Sequence, residues 1–365
     1  MGFYNPSMSI SRGGKNKGVG AKKPAMTLLV SLLTVLLLFL LCLCLGSSGM
    51  SFVESFLAIF GQGSESAIRI VTRIRLPEVL AALIAGAGLS LVGLIMQTTL
   101  GNIMASPGTL GVSNAAVFGA NVAIVIFAGG YISTGKNAES LITSAHPLAT
   151  SSFAFLFSFL SIFLILGLCR IRRFSPSSVV LSGVAIGAVW SAGTTILQFY
   201  ATDVGLSAAV IWSFGDLGRA TFLSDAVMGG VVFSSSLFFF LLRYRYNALL
   251  RGEAFSSSVG ININLLRFLS LLVSSLITAV CVSYLGIIGF VGIICPHIAR
   301  KLLGENHSYL IPGSLLDGAI LLLGANIFAK ALAPGNSLPI GAVTSLLGAP
   351  FFLYLIFASR RKQAC

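Results

Sequence analysis

Apolar stretches of about twenty residues, separated by short polar breaks, run through almost the whole chain; that is the length a helix needs to cross a bilayer. The first, Met26 to Leu45, is uncharged. Others cover roughly 76–100, 109–127, 148–168, 177–201, 226–242, 265–285, 310–332 and 340–357, with a shorter piece at 293–303 that must be tied to its neighbours. The runs are continuous and do not alternate with period two. This argues against a β-barrel and leaves helices to satisfy the backbone in lipid. The pattern predicts an all-α polytopic membrane protein of about ten transmembrane helices. A disordered basic N-terminus spans 1–25, a transmembrane domain 26–358 and a short tail 359–365. Residues 46–68 read as a loop or short surface helix, and 129–147 and 203–225 as loops. Pro77 suits a helix start, where its missing N–H costs nothing. Gly86, Gly88, Ser90 and Gly93 offer small residues for close helix contact.

One polar island interrupts the later runs. Arg251 to Arg267 reads RGEAFSSSVGININLLR, within a loop near 244–264. Gly252 and Gly260 bracket a short helix with Glu253 in its first turn, where an acid complements the helix dipole. The serines, Ser256 and Ser257 among them, are indifferent helix formers, so the helix is short and lies on the surface. It is either a solvated loop or an element on which a soluble partner pushes.

Composition fits a membrane protein. The 365 residues are 56% hydrophobic and 9% charged, against roughly 25% charged in soluble domains. The net charge of +13 is one of topology and calls for no nucleic acid. With ten crossings, both termini share one side. That side collects Arg12, Lys15, Lys17, Lys22, Lys23, Arg170, Arg172, Arg173, Arg243, Arg245, Arg251, Arg267, Arg300, Lys301, Arg360, Arg361 and Lys362. The other side keeps only Arg69, Arg73, Arg75, Lys136, Arg219 and Lys330. The positive-inside rule places the termini and the island in the cytoplasm. The six cysteines form no CxxC pair and read as small apolar packing residues.

Several stretches then coincide with one family. They are Arg75-Leu-Pro77 with Leu80-Ala-Ala-Leu83; Gly86-Ala-Gly88; Ala105 to Ser113 (ASPGTLGVS); Leu181 to Gly187 (LSGVAIG); Gly252-Glu253 with Gly260 and Arg267; Gly289 to Arg300 (GFVGIICPHIAR); His307; and Leu338 to Phe352. Together, in this order over 69–357, they resemble the permease subunits of ABC importers for iron-siderophore, haem and cobalamin, the FecCD/BtuC-like family. The resemblance implies a ten-helix permease paired with a second copy or paralogue. Two ATP-hydrolysing subunits lie beneath it and a substrate-binding protein docks outside. ATP and magnesium are held by the ATPase partner, and this chain holds neither cofactor nor metal. The resemblance also implies that Arg251, Gly252, Glu253, Ser256, Ser257, Gly260 and Arg267 couple to the ATPase. Arg73, Arg75 and Glu78 then face the binding protein. Ser182, Gly183, Gly187, Ser191, Gly193, Thr194 and Thr195 line the path, or pack helices through small side chains, with Ser175, Pro176 and Ser177 at the gate.

The chain departs from the family pattern in places. Glu78 stands where a second basic residue commonly follows Leu-Pro. Asn326 and Lys330 replace an Asp and an Arg, Ser337 replaces an acid, and Pro176 stiffens the gate. His297 reads as a structural histidine. Asp317, inside a membrane run, is open to either a functional or a packing role. Trp190 reads as interior packing and Trp212 as an outer-interface anchor. Two other classes compete. An ion-coupled secondary transporter needs charged or broken-helix ion sites, for which Asp317 alone is thin support. An intramembrane enzyme needs a His/Glu metal pair or a Ser/His/Asp set, and neither is evident. The chain has no phosphate-binding Gly-x-x-x-x-Gly-Lys-Ser/Thr sequence, so any ATPase is another chain.

Overall fold

The computed structural model describes residues 22–46, 50–127, 147–171, 175–332 and 338–361. The basic N-terminal stretch before Lys22, the expected loop up to residue 146 with Lys136, Arg172 and Arg173, Ser337, and the tail from Lys362 lie outside the described residues. The described chain is helical throughout: α1 (Lys22–Cys44), α2 (Phe52–Ile59), α3 (Glu65–Ile70), α4 (Leu76–Leu100), α5 (Val112–Asn121), α6 (Pro147–Ile171), α7 (Pro176–Phe199), α8 (Asp203–Ser213), α9 (Phe222–Leu241), α10 (Arg243–Leu249), α11 (Glu253–Ser258), α12 (Ile263–Leu285), α13 (Val291–Leu303), α14 (His307–Leu332) and α15 (Ile340–Arg361). Seven segments are long and apolar enough to span a membrane: α1, the continuous 65–100 segment, α6, α7, α9, α12 and α14. The expected runs at 109–127, 293–303 and 340–357 are helical as well, in shorter or less apolar form.

The bundle is built around α4, which packs against α9, α12, α13 and α14. From Leu89 to Leu100 every residue of α4 is buried, so the helix is apolar all round instead of having one face, as a central helix must be. Small residues allow the approach. At Gly86 the backbone meets that of Gly318 on α14, and at Gly93 it meets Gly292 on α13, leaving no room for a Cβ at any of these positions.

The chain does not restart at Pro77. It runs without a break from α3 through one wide π-type turn, Val71–Arg75, into α4. Proline lacks an N–H and crowds the preceding turn, and widening that turn is the usual accommodation.

Residues 203–225 are not a loop throughout. Thr202 caps α8, its hydroxyl accepting from the Gly205 N–H at 3.1 Å. Gly205, Ala209 and Trp212 then recur at helical spacing on the buried face. The run ending at Leu242 continues as a separate short helix, α10, because Tyr246 is fully buried, with its hydroxyl 2.8 Å from Ser270 Oγ on α12. Cys42, Cys44, Cys169, Cys281 and Cys295 are buried, free and packed.

Candidate functional site

The island folds into α11 and the turns around it. Gly252 (φ 107°) and Gly260 (φ 79°) both hold a backbone region that disfavours side chains, so the glycines set where the short helix begins and ends. Arg251, Gly252, Glu253, Ser257 and Gly260 are exposed. Ser256 is not: it is fully buried and its hydroxyl donates to the Gly252 carbonyl at 3.0 Å, so it braces the helix from within. Two apolar residues, Phe255 (39% exposed) and Val259 (54%), stand in solvent on this otherwise polar knuckle.

Arg267, at the start of α12, is buried under α11. Its Nη2 pairs with Glu253 Oε1 at 2.5 Å, and its Nε donates to the Thr99 carbonyl at 3.0 Å. The last turn of α4 carries two more such ties. Gln97 donates to the Gly292 carbonyl at 3.0 Å and accepts from Arg300 Nη1 at 2.5 Å, both on α13. Thr98 Oγ1 lies 3.1 Å from Nε2 of the fully buried His307, which begins α14. Asn247 Oδ1 accepts from the His307 backbone N–H at 2.9 Å and stands 2.9 Å from its Nδ1. With the proton on Nδ1 the ring donates to Asn247 Oδ1, while the Thr98 hydroxyl beside Nε2 also donates to the Leu94 carbonyl at 2.9 Å. Three consecutive residues of α4, Gln97 to Thr99, therefore tie α11, α12, α13 and α14 together.

The opposite end of α4 differs from the sequence expectation. Arg73 is exposed, but Arg75 is buried, with Nη1 donating to the Leu43 and Cys44 carbonyls at 2.9 and 3.2 Å and to Ser55 Oγ at 2.9 Å. It locks the end of α1 to α2 and cannot meet a partner in this conformation. Glu78 is also turned inward, with Oε1 3.0 Å from Lys330 Nζ in an ion-pair contact that lacks hydrogen-bond geometry. Nearby, Arg219 pairs with Asp216 at 3.8 Å and donates to the Ile211 and Trp212 carbonyls. Burial lowers the Arg219 pKa and Asp216 partly restores it. Trp212 is buried beneath this pair, not placed at an interface.

Helix α7 has two faces. Gly183, Gly187 and Thr194 point into their own chain: the two glycines touch the backbone of Leu110 and Gly111, and the Thr194 hydroxyl bonds the Trp190 carbonyl at 2.9 Å. They are packing residues, not lining. The outward face carries Leu181, Val184, Val189, Ser191, Thr195 and Ile196. Ser182 and Gly193 are half-buried at the margin. Ser175 caps α7, its hydroxyl accepting from the Ser178 N–H at 3.3 Å, with Pro176 in the first turn and Ser177 exposed. Trp190 packs inside, against Phe118 and Phe157, and donates to Ser161 Oγ.

Asp317, midway along α14, is largely buried, with Oδ2 unpartnered. His297 is half-buried, and among the described residues no three His, Cys, Asp or Glu side chains converge as a metal site would require.

The profile of the FecCD transport family matches residues 33–358. The chain belongs to the FecCD transport family. A putative ABC transporter permease of Methanocaldococcus jannaschii is 41% identical over 342 residues, covering 93% of this chain and 97% of that one. A probable iron chelatin transport permease of Helicobacter pylori is 38% identical, covering 80% and 83%. The hemin transport permease of Yersinia pestis is 31% identical, covering 91% and 97%. A solved structure described as an inward-facing conformation of a putative metal-chelate type ABC transporter superposes with a TM-score of 0.75 at 27% identity, covering 92% of this chain and 99% of that one. This FecCD protein is thus a multi-span membrane permease. What the sequence missed is the Gln97–Thr99 junction: Gln and Thr inside an apolar run were a signal, but their partners are far away along the chain.

Proposed function

We propose that this chain is the permease subunit of an ATP-driven importer that carries an iron chelate across the cytoplasmic membrane. Haem or cobalamin is the second reading, since relatives named for hemin and for vitamin B12 are also similar to it. The chain crosses ten times with both termini and α11 in the cytoplasm. Two ATPase subunits hold ATP and its magnesium ion and grip α11, a binding protein approaches the Arg73 end, and a second permease covers the outward face of α7.

One observation carries this reading: a short exposed helix with Phe255 and Val259 bare to solvent is joined through Arg267 to the central helix of the bundle. A free loop has no need of bare aromatic and aliphatic side chains, nor of a buried arginine beneath it. Movement of α11 by a partner reaches α4 without slack, and each state of the pathway is favoured by different contacts at that junction.

The test is reconstitution in vesicles with the ATPase and binding-protein subunits. Ser257→Trp and Val259→Asp should leave the permease folded but uncouple hydrolysis from uptake. Normal uptake by both variants overturns the coupling role. Uptake that persists without the ATPase and collapses with a protonophore would instead indicate an ion-coupled carrier.

A further inference from the structure

A groove of about 1060 Å³ opens between the first turns of α1 and the α13–α14 turn. Its mouth holds three cations, Lys23, Arg300 and Lys301, and the Tyr309 side chain beside them. Among the described residues no ion pair engages Lys23 or Lys301, and both are exposed. Arg300 is held in place by its bond to Gln97. Along α1, away from Lys23, the lining becomes apolar: Met26 is 70% exposed and Val30 55%.

Depth decides what fits. Lys23 begins the membrane-length stretch of α1, so the mouth stands at headgroup level and the apolar wall at acyl-chain level. The occupant must be anionic at one end and apolar at the other. The preceding segment, residues 1–21, does not qualify, because its charges are Arg12, Lys15 and Lys17, with no acid. A soluble protein cannot reach the apolar half.

We propose that this groove binds an anionic phospholipid, with the phosphodiester between Lys23, Arg300 and Lys301 and an acyl chain along Met26 and Val30. Basic pockets between membrane helices hold such headgroups, at about 1 kcal/mol per basic residue near the surface. The bound lipid fastens α1 to α13. This inference needs only that the chain spans a membrane, and so stands apart from the cargo and its coupling.

The experiment uses the purified full-length permease. Phosphatidylglycerol or phosphatidylcholine is added in detergent, with native mass spectrometry and thermal unfolding as readouts. Phosphatidylglycerol should bind and raise Tm where phosphatidylcholine does not. Lys23→Gln/Lys301→Gln should weaken it by roughly ten- to thirty-fold, while Arg245→Gln, at an exposed position of the same end, leaves it unchanged. Equal retention of phosphatidylglycerol by the double variant, or an equal loss in Arg245→Gln, overturns the site. Inorganic phosphate raising Tm as much as the lipid would show a soluble-anion site instead. The double variant keeps its elution position, since both lysines are exposed; if it does not, the wild-type comparison of the two lipids and phosphate still decides.

Discussion

Arg267 bridges Glu253 and the Thr99 carbonyl, at 2.5 and 3.0 Å, so one buried side chain joins the exposed knuckle to the end of the central helix. The two contacts are unequal. Glu253 is 59% exposed on its side chain, so its pairing contributes less than about 1 kcal/mol. Arg267 is 6% exposed, and a buried charged hydrogen bond contributes about 1.5–3 kcal/mol. Glu253→Gln should therefore barely move the unfolding midpoint, while Arg267→Met lowers it clearly. Both should reduce uptake per ATP hydrolysed in the reconstituted complex. Equal stability losses in the two variants would contradict this asymmetry.

Glu78 and Lys330 form a pair whose side chains are only 16% and 14% exposed. Removing one partner strands the other charge, at about 3–5 kcal/mol. Glu78→Gln and Lys330→Met alone should each be strongly destabilising, and the double variant should recover most of the loss. A double-mutant cycle on thermal unfolding reads the coupling. Additive losses would mean that the two residues act independently.

Gly86 and Gly318 meet backbone to backbone, whereas Gly324 on the same α14 has open space where a side chain would go. Gly86→Leu or Gly318→Leu should force α4 and α14 apart, costing at least about 1–3 kcal/mol. Gly324→Ala should be tolerated. Yield and monodispersity in size-exclusion chromatography separate the cases.

Asn247 supplies the acceptor for the buried His307 backbone N–H. Asn247→Leu keeps the bulk but leaves that donor and a ring nitrogen unpartnered, at about 1–3 kcal/mol. Amide exchange should rise at the start of α14 while the far end of the helix, around Lys330, stays protected. Uniform loss of protection along α14 would assign Asn247 to global stability and not to this local tie.

The sequence by itself determined the class and the helices. Runs of about twenty apolar residues leave the backbone no alternative to helix in lipid. Gly252, Glu253 and Gly260 marked the island helix through local backbone preference and dipole, both of which act within a few residues. The Thr202 cap and the Gly205, Ala209, Trp212 spacing are equally local, but lie among charged and polar neighbours that read as a loop. Only the tertiary structure decided which way the side chains face. Arg75 reads as an outward cation, yet it spends its donors on carbonyls at the end of α1, contacts no window of sequence contains. Gly183 and Gly187 look like lining on a small-residue stripe, but the rotation of α7 against the Leu110–Gly111 turn buries them. Glu78 and Lys330, far apart in the chain, find each other only because α4 and α14 run antiparallel in close contact. Helix formation is a local equilibrium and is written in local residues; helix rotation and pairing are set by packing across the bundle, where each residue's partners come from distant turns.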